Sequence, residues 1–302
     1  MFNSEEAKTI GDAVRDYAGQ IMPALVKAFA ASIINERSEV RFFDKAIKEI
    51  PLALQSLQLP DLDLRVRVAR VHQKPIVEVT GRDGFKRELA DLLVMVKYET
   101  GNLTERKSLL YQVKLCESAS SYCKIDEKQL ALLSTWPRFE FGRRSSGGVT
   151  TYQVRPKTLE FGSYMLMLRG PTAIHYIALH PWAWCCQKAY GVCPYALEVL
   201  ANGPKRVDIS QLPHAGDAAE VFYRHLAFEL GEHHDFNAGA DELVAALYRY
   251  VGLDPDPPEE FEGYSREAER DEIGFAVIEI RVIPGEEFWG RRRLIHRRPF
   301  AA

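Results

Sequence analysis

Cysteine is scarce in this chain. There are five among 302 residues, at positions 116, 123, 185, 186 and 193. An odd, low count argues against a disulfide framework and favours a reducing compartment. No C-x-x-C knuckle occurs, so structural zinc and iron–sulfur clusters lack their usual signature. A basic start followed by an apolar run is also missing: Glu5, Glu6 and Asp12 stand where a secretory signal needs them. Between Gly170 and Gln187 there is no Asp, Glu, Lys or Arg. That stretch nevertheless holds Pro171, His175, His180, Pro181 and Gln187, a set that a membrane helix rarely carries. It reads as a buried strand and a turn. The expected location is the cytoplasm, with no membrane partner. G-x-G-x-x-G, Walker and G-x-S-x-G patterns are absent, which removes the main support for dinucleotide, P-loop and α/β-hydrolase chemistry.

What is present is ordinary globular material. Hydrophobic residues make up 46% and charged residues 27%, which excludes disordered, collagen-like and coiled-coil classes. The length allows about two domains. Formal charge is −3, from 39 Lys+Arg against 42 Asp+Glu, but it is unevenly spread. Residues 254–272 hold nine acids and two arginines, so the remainder of the chain is net positive. Residues 291–298 alone hold five arginines.

Periodicity predicts the elements. Ile10, Val14, Tyr17, Ile21, Leu25 and Phe29 recur at helical spacing over 5–35, with Pro23 expected to break or kink the run. A second helix is expected over 37–50. The period then changes to two: strands are predicted at 64–71, 75–80, 91–98 and 108–116, the last two as a hairpin with a long loop. Asp126 caps a predicted helix over 127–135. Further strands are expected at 138–142, 163–168, 173–179 and 274–283, and helices at 217–232 and 239–251. The loop 143–150 reads as a flexible insertion. The order predicts a mixed α/β or α+β fold.

The chemistry concentrates in 86–116. Asp91 opens an apolar strand, and Gln112 and Lys114 interrupt the next one. Their i, i+2 spacing puts both on one face, where two polar side chains are costly to bury without partners. Asp91 on the adjacent strand is a partner for both, and Glu88 lies within reach. A carboxylate, an amide oxygen and a lysine at one junction suit phosphodiester hydrolysis, because hard oxygen ligands favour Mg²⁺ or Mn²⁺.

Asp91, a hairpin and then Gln112-x-Lys114 resembles the PD-(D/E)xK nuclease superfamily, in the Q-x-K variant found in Mrr-type restriction endonucleases. The resemblance spans roughly 30–180. It implies a restriction-endonuclease-like core: a helix, a three-stranded meander, a helix and a further strand; residues 181–302 have no counterpart in it and are expected to form a mainly helical C-terminal extension. It implies Asp91, Gln112 and the main-chain carbonyl of Val113 as ligands of Mg²⁺ or Mn²⁺, and Lys114 as the catalytic lysine. A glutamate completes the set: Glu88, or one from the first helix, with Glu36 preferred over Glu39. Ala90 stands where the family has proline. Lys128 and Gln129 begin the helix that faces substrate in this fold, and Arg143 and Arg144 are candidates to track phosphates. The implied activity is a metal-dependent nuclease, DNA favoured, acting in prokaryotic defence. The alternative is a catalytically inactive nuclease-like module that binds nucleic acid or a partner protein as a defence-complex subunit; the expected partners are nucleic acid and either a second copy of the chain, as a homo-oligomer, or a defence-system protein.

The expected organisation is a nuclease-like core over 1–180 and an extension over 181–302, with the acidic linker 254–272 and the basic tail 291–298. Arg65, Arg67 and Arg70 read either as phosphate-tracking or as a solvated strand face. Trp136, Phe139 and Phe141 read as core packing, with base stacking as the rarer use.

Overall fold

The computed structural model describes residues 5–33, 39–81, 84–100, 103–116, 122–124, 126–141, 150–154, 161–168, 176–179, 206–208, 218–229, 231–233, 238–253 and 274–289. In chain order the elements are α1 (Glu5–Asp16), α2 (Ala18–Ile33), α3 (Glu39–Gln55), β1 (Leu62–Val71), β2 (Ile76–Val79), β3 (Lys86–Glu88), β4 (Leu92–Thr100), β5 (Leu103–Cys116), β6 (Tyr122–Lys124), α4 (Glu127–Thr135), β7 (Phe139–Phe141), β8 (Thr150–Tyr152), β9 (Gly162–Leu168), β10 (Tyr176–Leu179), β11 (Arg206–Asp208), α5 (Ala218–Leu226), β12 (Glu232–His233), α6 (Ala238–Tyr250) and β13 (Phe275–Pro284). The expected mixed α/β class is what the chain forms.

A seven-stranded mixed sheet is the frame. Its order is β1-β13-β4-β5-β9-β10, with β12 paired to β5. β13 runs parallel to β4 and β5 parallel to β9, while the other pairs are antiparallel. Both faces are covered, so the central strands are apolar on both sides. On one face Leu92, Val94, Val96 and Tyr98 of β4 pack under α1, α2, α3 and α5. On the other, Leu93 and Met95 pack with α4, α6 and the small sheet β3-β2-β7-β8. Each such side chain contributes roughly 1.5–3 kcal/mol by leaving water. Trp136 and Phe139 lie in this second core, 4% and 0% exposed; that is packing, not a stacking platform.

Three local expectations change. Pro23 lies inside α2, and the chain breaks earlier, at Tyr17, whose carbonyl accepts from the N–H groups of Gln20 and Ile21. At the sixth helical position proline gives up one intrahelical hydrogen bond, to the Gly19 carbonyl, and the helix continues through it. The hairpin loop is short: β4 and β5 pair as far as Thr100 opposite Leu103. Third, β1 does not neighbour β4, because β13 lies between them. The contiguous three-stranded meander implied by the family resemblance is therefore interrupted by a strand from the far end of the chain. With α5 and α6 on opposite faces, these parts of 181–302 share the sheet and both cores with the residues before 180. The linker 254–272, the basic tail and most of the loop 143–150 lie outside the described residues. Among the described residues, no helix is long and apolar enough to cross a membrane.

Candidate functional site

The site is built where β4 begins. The Asp91 N–H donates to the Tyr111 carbonyl at 2.9 Å, and its own carbonyl accepts from the Ala276 N–H at 3.0 Å. Two neighbouring strands thus fix its backbone before the ladder starts. Its side chain turns across to β5, where Oδ2 accepts from the Val113 N–H at 2.8 Å and from Gln112 Nε2. A strand residue presents its N–H and carbonyl to the same side, so the Val113 carbonyl lies along the Asp91 edge too.

The polar chain has one consistent direction. A carboxylate can only accept, so Gln112 turns its NH₂ to Asp91 and its Oε1 away. Gln112 Oε1 then accepts from Gln129 Nε2, which also donates to the Glu88 carbonyl at 3.3 Å. Gln112 is fully buried, and Asp91 and Gln129 nearly so. Burial of so many polar atoms is tolerable because each meets a partner. Asp126 positions Gln129: it caps α4 by accepting from the Gln129 N–H at 3.0 Å. The same carboxylate accepts from Arg87 Nε at 2.9 Å. Partial burial works to raise the Asp126 carboxyl, but the hydrogen bonds from Arg87 and the Gln129 backbone outweigh it and hold it below its ordinary value.

Positive charge enters from an unexpected residue. Lys74 Nζ lies 2.7 Å from Glu88 Oε2 and 3.7 Å from Asp91 Oδ1. Tyr164 of β9 stands opposite Gln112. Burial, then the charges of Asp126 and Asp91, push its hydroxyl well above the usual range, so it stays a neutral phenol.

Above this floor opens a cleft of ≈ 400 Å³ lined by Ile76, Lys86, Arg87, Glu88, Lys114, Asp126 and Gln129. Lys114 is half-buried and reaches the cleft from the same face of β5 as Gln112. The sequence-selected Asp91, Gln112, Val113, Glu88, Lys114 and Gln129 are therefore brought together. Lys128 is not: it is exposed, its ammonium 5.8 Å from the centre of the Phe85 ring and outside the cleft lining. Glu36, Arg143 and Arg144 lie outside the described residues. The arginines of β1 face carboxylates: Arg65 pairs with Asp63, Arg67 with Glu279 and Arg70 with Asp44. Lys74, Lys86 and Arg87 were missed. Lys74 precedes Pro75 in a connection with no motif, and only the fold carries it to Asp91.

Among the described residues, no group of three or more His, Cys, Asp or Glu side chains is gathered as a metal cage. The donors present are nonetheless hard oxygens, two carboxylates converging on one ammonium and the Val113 carbonyl; the Gln112 amide oxygen, expected as a ligand, is turned to Gln129 instead. Mg²⁺ needs only one or two protein carboxylates when waters and substrate phosphates complete its shell. The Lys74 ammonium already places a positive charge between Glu88 and Asp91, and these two carboxylates meet that minimum. Comparison with protein-family models, with curated proteins and with solved structures returns no match to the chain.

Proposed function

We propose that the chain is a divalent-metal-dependent phosphodiesterase acting on nucleic acid, with DNA the first substrate to test, as the Q-x-K resemblance suggests. The observation that supports the proposal is that Glu88 and Lys114 line one open cleft, with Asp91 and Gln112 buried behind it and joined to Glu88 through Lys74 and Gln129. Asp91 and Glu88, with the Val113 carbonyl, would hold Mg²⁺ or Mn²⁺. When bound, such an ion supplies Lewis acidity toward the phosphate and a more acidic water. Lys114 offers its ammonium to the phosphate oxygens as negative charge builds on them, in a half-buried position where charge stabilisation exceeds that in bulk water. Lys86 and Arg87 line the same cleft and engage flanking phosphates. Gln129 holds Gln112, and Gln112 holds Asp91, so the carboxylate keeps its aim without a metal. The same resemblance suggests a role in prokaryotic defence.

The test compares the wild type with Lys114→Met on plasmid, single-stranded DNA and RNA, in Mg²⁺, Mn²⁺ or EDTA. The expected result is metal-dependent cutting that falls roughly 100-fold or more in the variant, with an unchanged melting temperature. Equal products from both proteins, or no cutting by folded wild type in either metal, would overturn it. One observation favours a second reading, a binding module without catalysis: Asp91, Gln112 and Gln129 already satisfy one another, with Lys74 beside them. That reading expects nucleic acid to be retained in EDTA and never cut.

A further inference from the structure

We propose that Lys74 is the site's own counter-cation, holding with its ammonium the position between Glu88 and Asp91 for which a divalent ion competes. This rests on the metal site proposed above.

Asp91 is the buried member of the pair, its side chain 8% exposed. Its Oδ2 receives two neutral donors, Gln112 and the Val113 N–H. Neutral donors solvate a carboxylate but do not cancel its charge, and a buried carboxylate without a nearby cation is costly. Lys74 brings that cation, bridging toward the half-buried Glu88 at 2.7 Å and Asp91 at 3.7 Å.

The backbone that carries Lys74 is tied. Its carbonyl accepts from the Tyr250 hydroxyl at 3.1 Å, and the next carbonyl, that of Pro75, accepts from the Leu89 N–H at 2.8 Å. Proline at 75 also restricts the backbone of Lys74. The side chain is different: it is 36% exposed, with a flexible four-carbon stem and a way out to solvent. A divalent ion and an ammonium cannot share the gap, because like charges a few ångström apart repel strongly in a half-buried setting. Metal entry therefore expels the ammonium by side-chain rotation, with the backbone in place. The carboxylates stay paired in both states, which lets the fold form before metal arrives.

The probe is Mn²⁺, followed by calorimetric titration and by melting shift on the intact chain, for wild type, Lys74→Met, Lys74→Gln and each of these combined with Asp91→Asn. Removing the competing charge should lower the Mn²⁺ concentration for half-saturation by roughly tenfold or more and lower the metal-free melting temperature. Lys74→Gln, similar in length and able to hydrogen-bond Glu88, keeps the test open if the methionine variant folds poorly; a variant that folds only with Mn²⁺ gives the same support in stronger form. Unchanged or weaker Mn²⁺ binding in folded Lys74 variants, still abolished by Asp91→Asn, would overturn the competition alone. No Asp91-dependent binding in wild type or variants would overturn the metal reading and this inference with it.

Discussion

The Val113 N–H donates to Asp91 Oδ2 at 2.8 Å, so the carboxylate that opens β4 is clamped by the backbone of β5. This bond ties the aim of the side chain to the register of the hairpin. The Gln112 amide can then take only one orientation, and Gln129 must follow it.

Gln112→Leu should cost about 1–3 kcal/mol, since it removes a donor from Asp91 and an acceptor from Gln129 in a dry site. Gln112→Glu tests the same contact by charge. Its carboxylate would face Asp91, and like charge with burial raises a carboxyl pKa in the folded state above its unfolded value. Stability is then lost as pH rises through that folded pKa and recovered as pH falls. Urea midpoints of the variant should be lower at about pH 8 than at about pH 6 relative to wild type, and Mn²⁺ should narrow the gap. A difference independent of pH would show that the two side chains do not share the site.

Much of the site was legible because it obeys strand periodicity. Gln112 and Lys114 had to share a face, and the cap at Asp126 set the start of the helix that carries Gln129. Most strands also followed local pattern, but the helix ends did not: the run 5–35 breaks at Tyr17, the helix expected to stop at 50 continues through Pro51 to Gln55, and the one expected over 217–232 ends at Leu226. What stayed hidden depends on long-range pairing. Val277 and Ile278 of β13 lie beside Leu93 and Val94, yet nothing in an apolar ten-residue run says which neighbours it takes. Lys74 was hidden for the same reason, since its partners Glu88 and Asp91 meet it only after β2 and β3 fold back. Glu279, Lys97 and Arg67 look like solvated charges in three separate strands; their burial follows from α6 covering that face.

Gly162 supplies the space in which α4 sits. A Cβ there would lie 3.0 Å from both Leu133 Cδ2 and Trp136 Cζ2. Trp136 has little room to yield: it ends α4 in the left-handed region at φ 46°, donates its N–H to Leu132, and packs its ring 5.0 Å from that of Phe161. Gly162→Val should therefore push α4 off β9, at a cost of about 1–3 kcal/mol, and loosen Gln129. Urea unfolding gives the cost, and hydrogen exchange at the Leu130 to Leu133 amides reports whether α4 is the element disturbed. A valine variant as stable as wild type would mean that the helix seats elsewhere.

Glu279 anchors the other end of the same face. Fully buried in β13, its Oε2 accepts from Tyr248 at 2.7 Å, Lys97 at 2.9 Å and Arg67 at 3.1 Å, and its Oε1 from Arg281 at 2.9 Å. Burial works to raise the carboxyl, but Lys97 and Arg67, with the Tyr248 hydrogen bond, outweigh it and hold the group at about 2, below its ordinary 4.5. Arg281 also reaches Glu99, at 3.6 Å, and burial brings Lys97 below its ordinary value although Glu279 works to raise it. Since the folded pKa of Glu279 lies below the unfolded one, its contribution is fully present above about pH 4.5 and is lost as pH falls toward about 2. Glu279→Gln should cost about 3–5 kcal/mol at neutral pH, because Lys97 and Arg67 stay buried after losing the Glu279 charge. The difference from wild type should shrink through that acid window, as the wild-type carboxyl protonates and becomes the variant's neutral equivalent. Urea midpoints of both proteins at about pH 7, 4 and 2.5 would read this directly; a gap that stays constant across the series would mean that Glu279 is not the charge that holds Lys97, Arg67 and Arg281 inside.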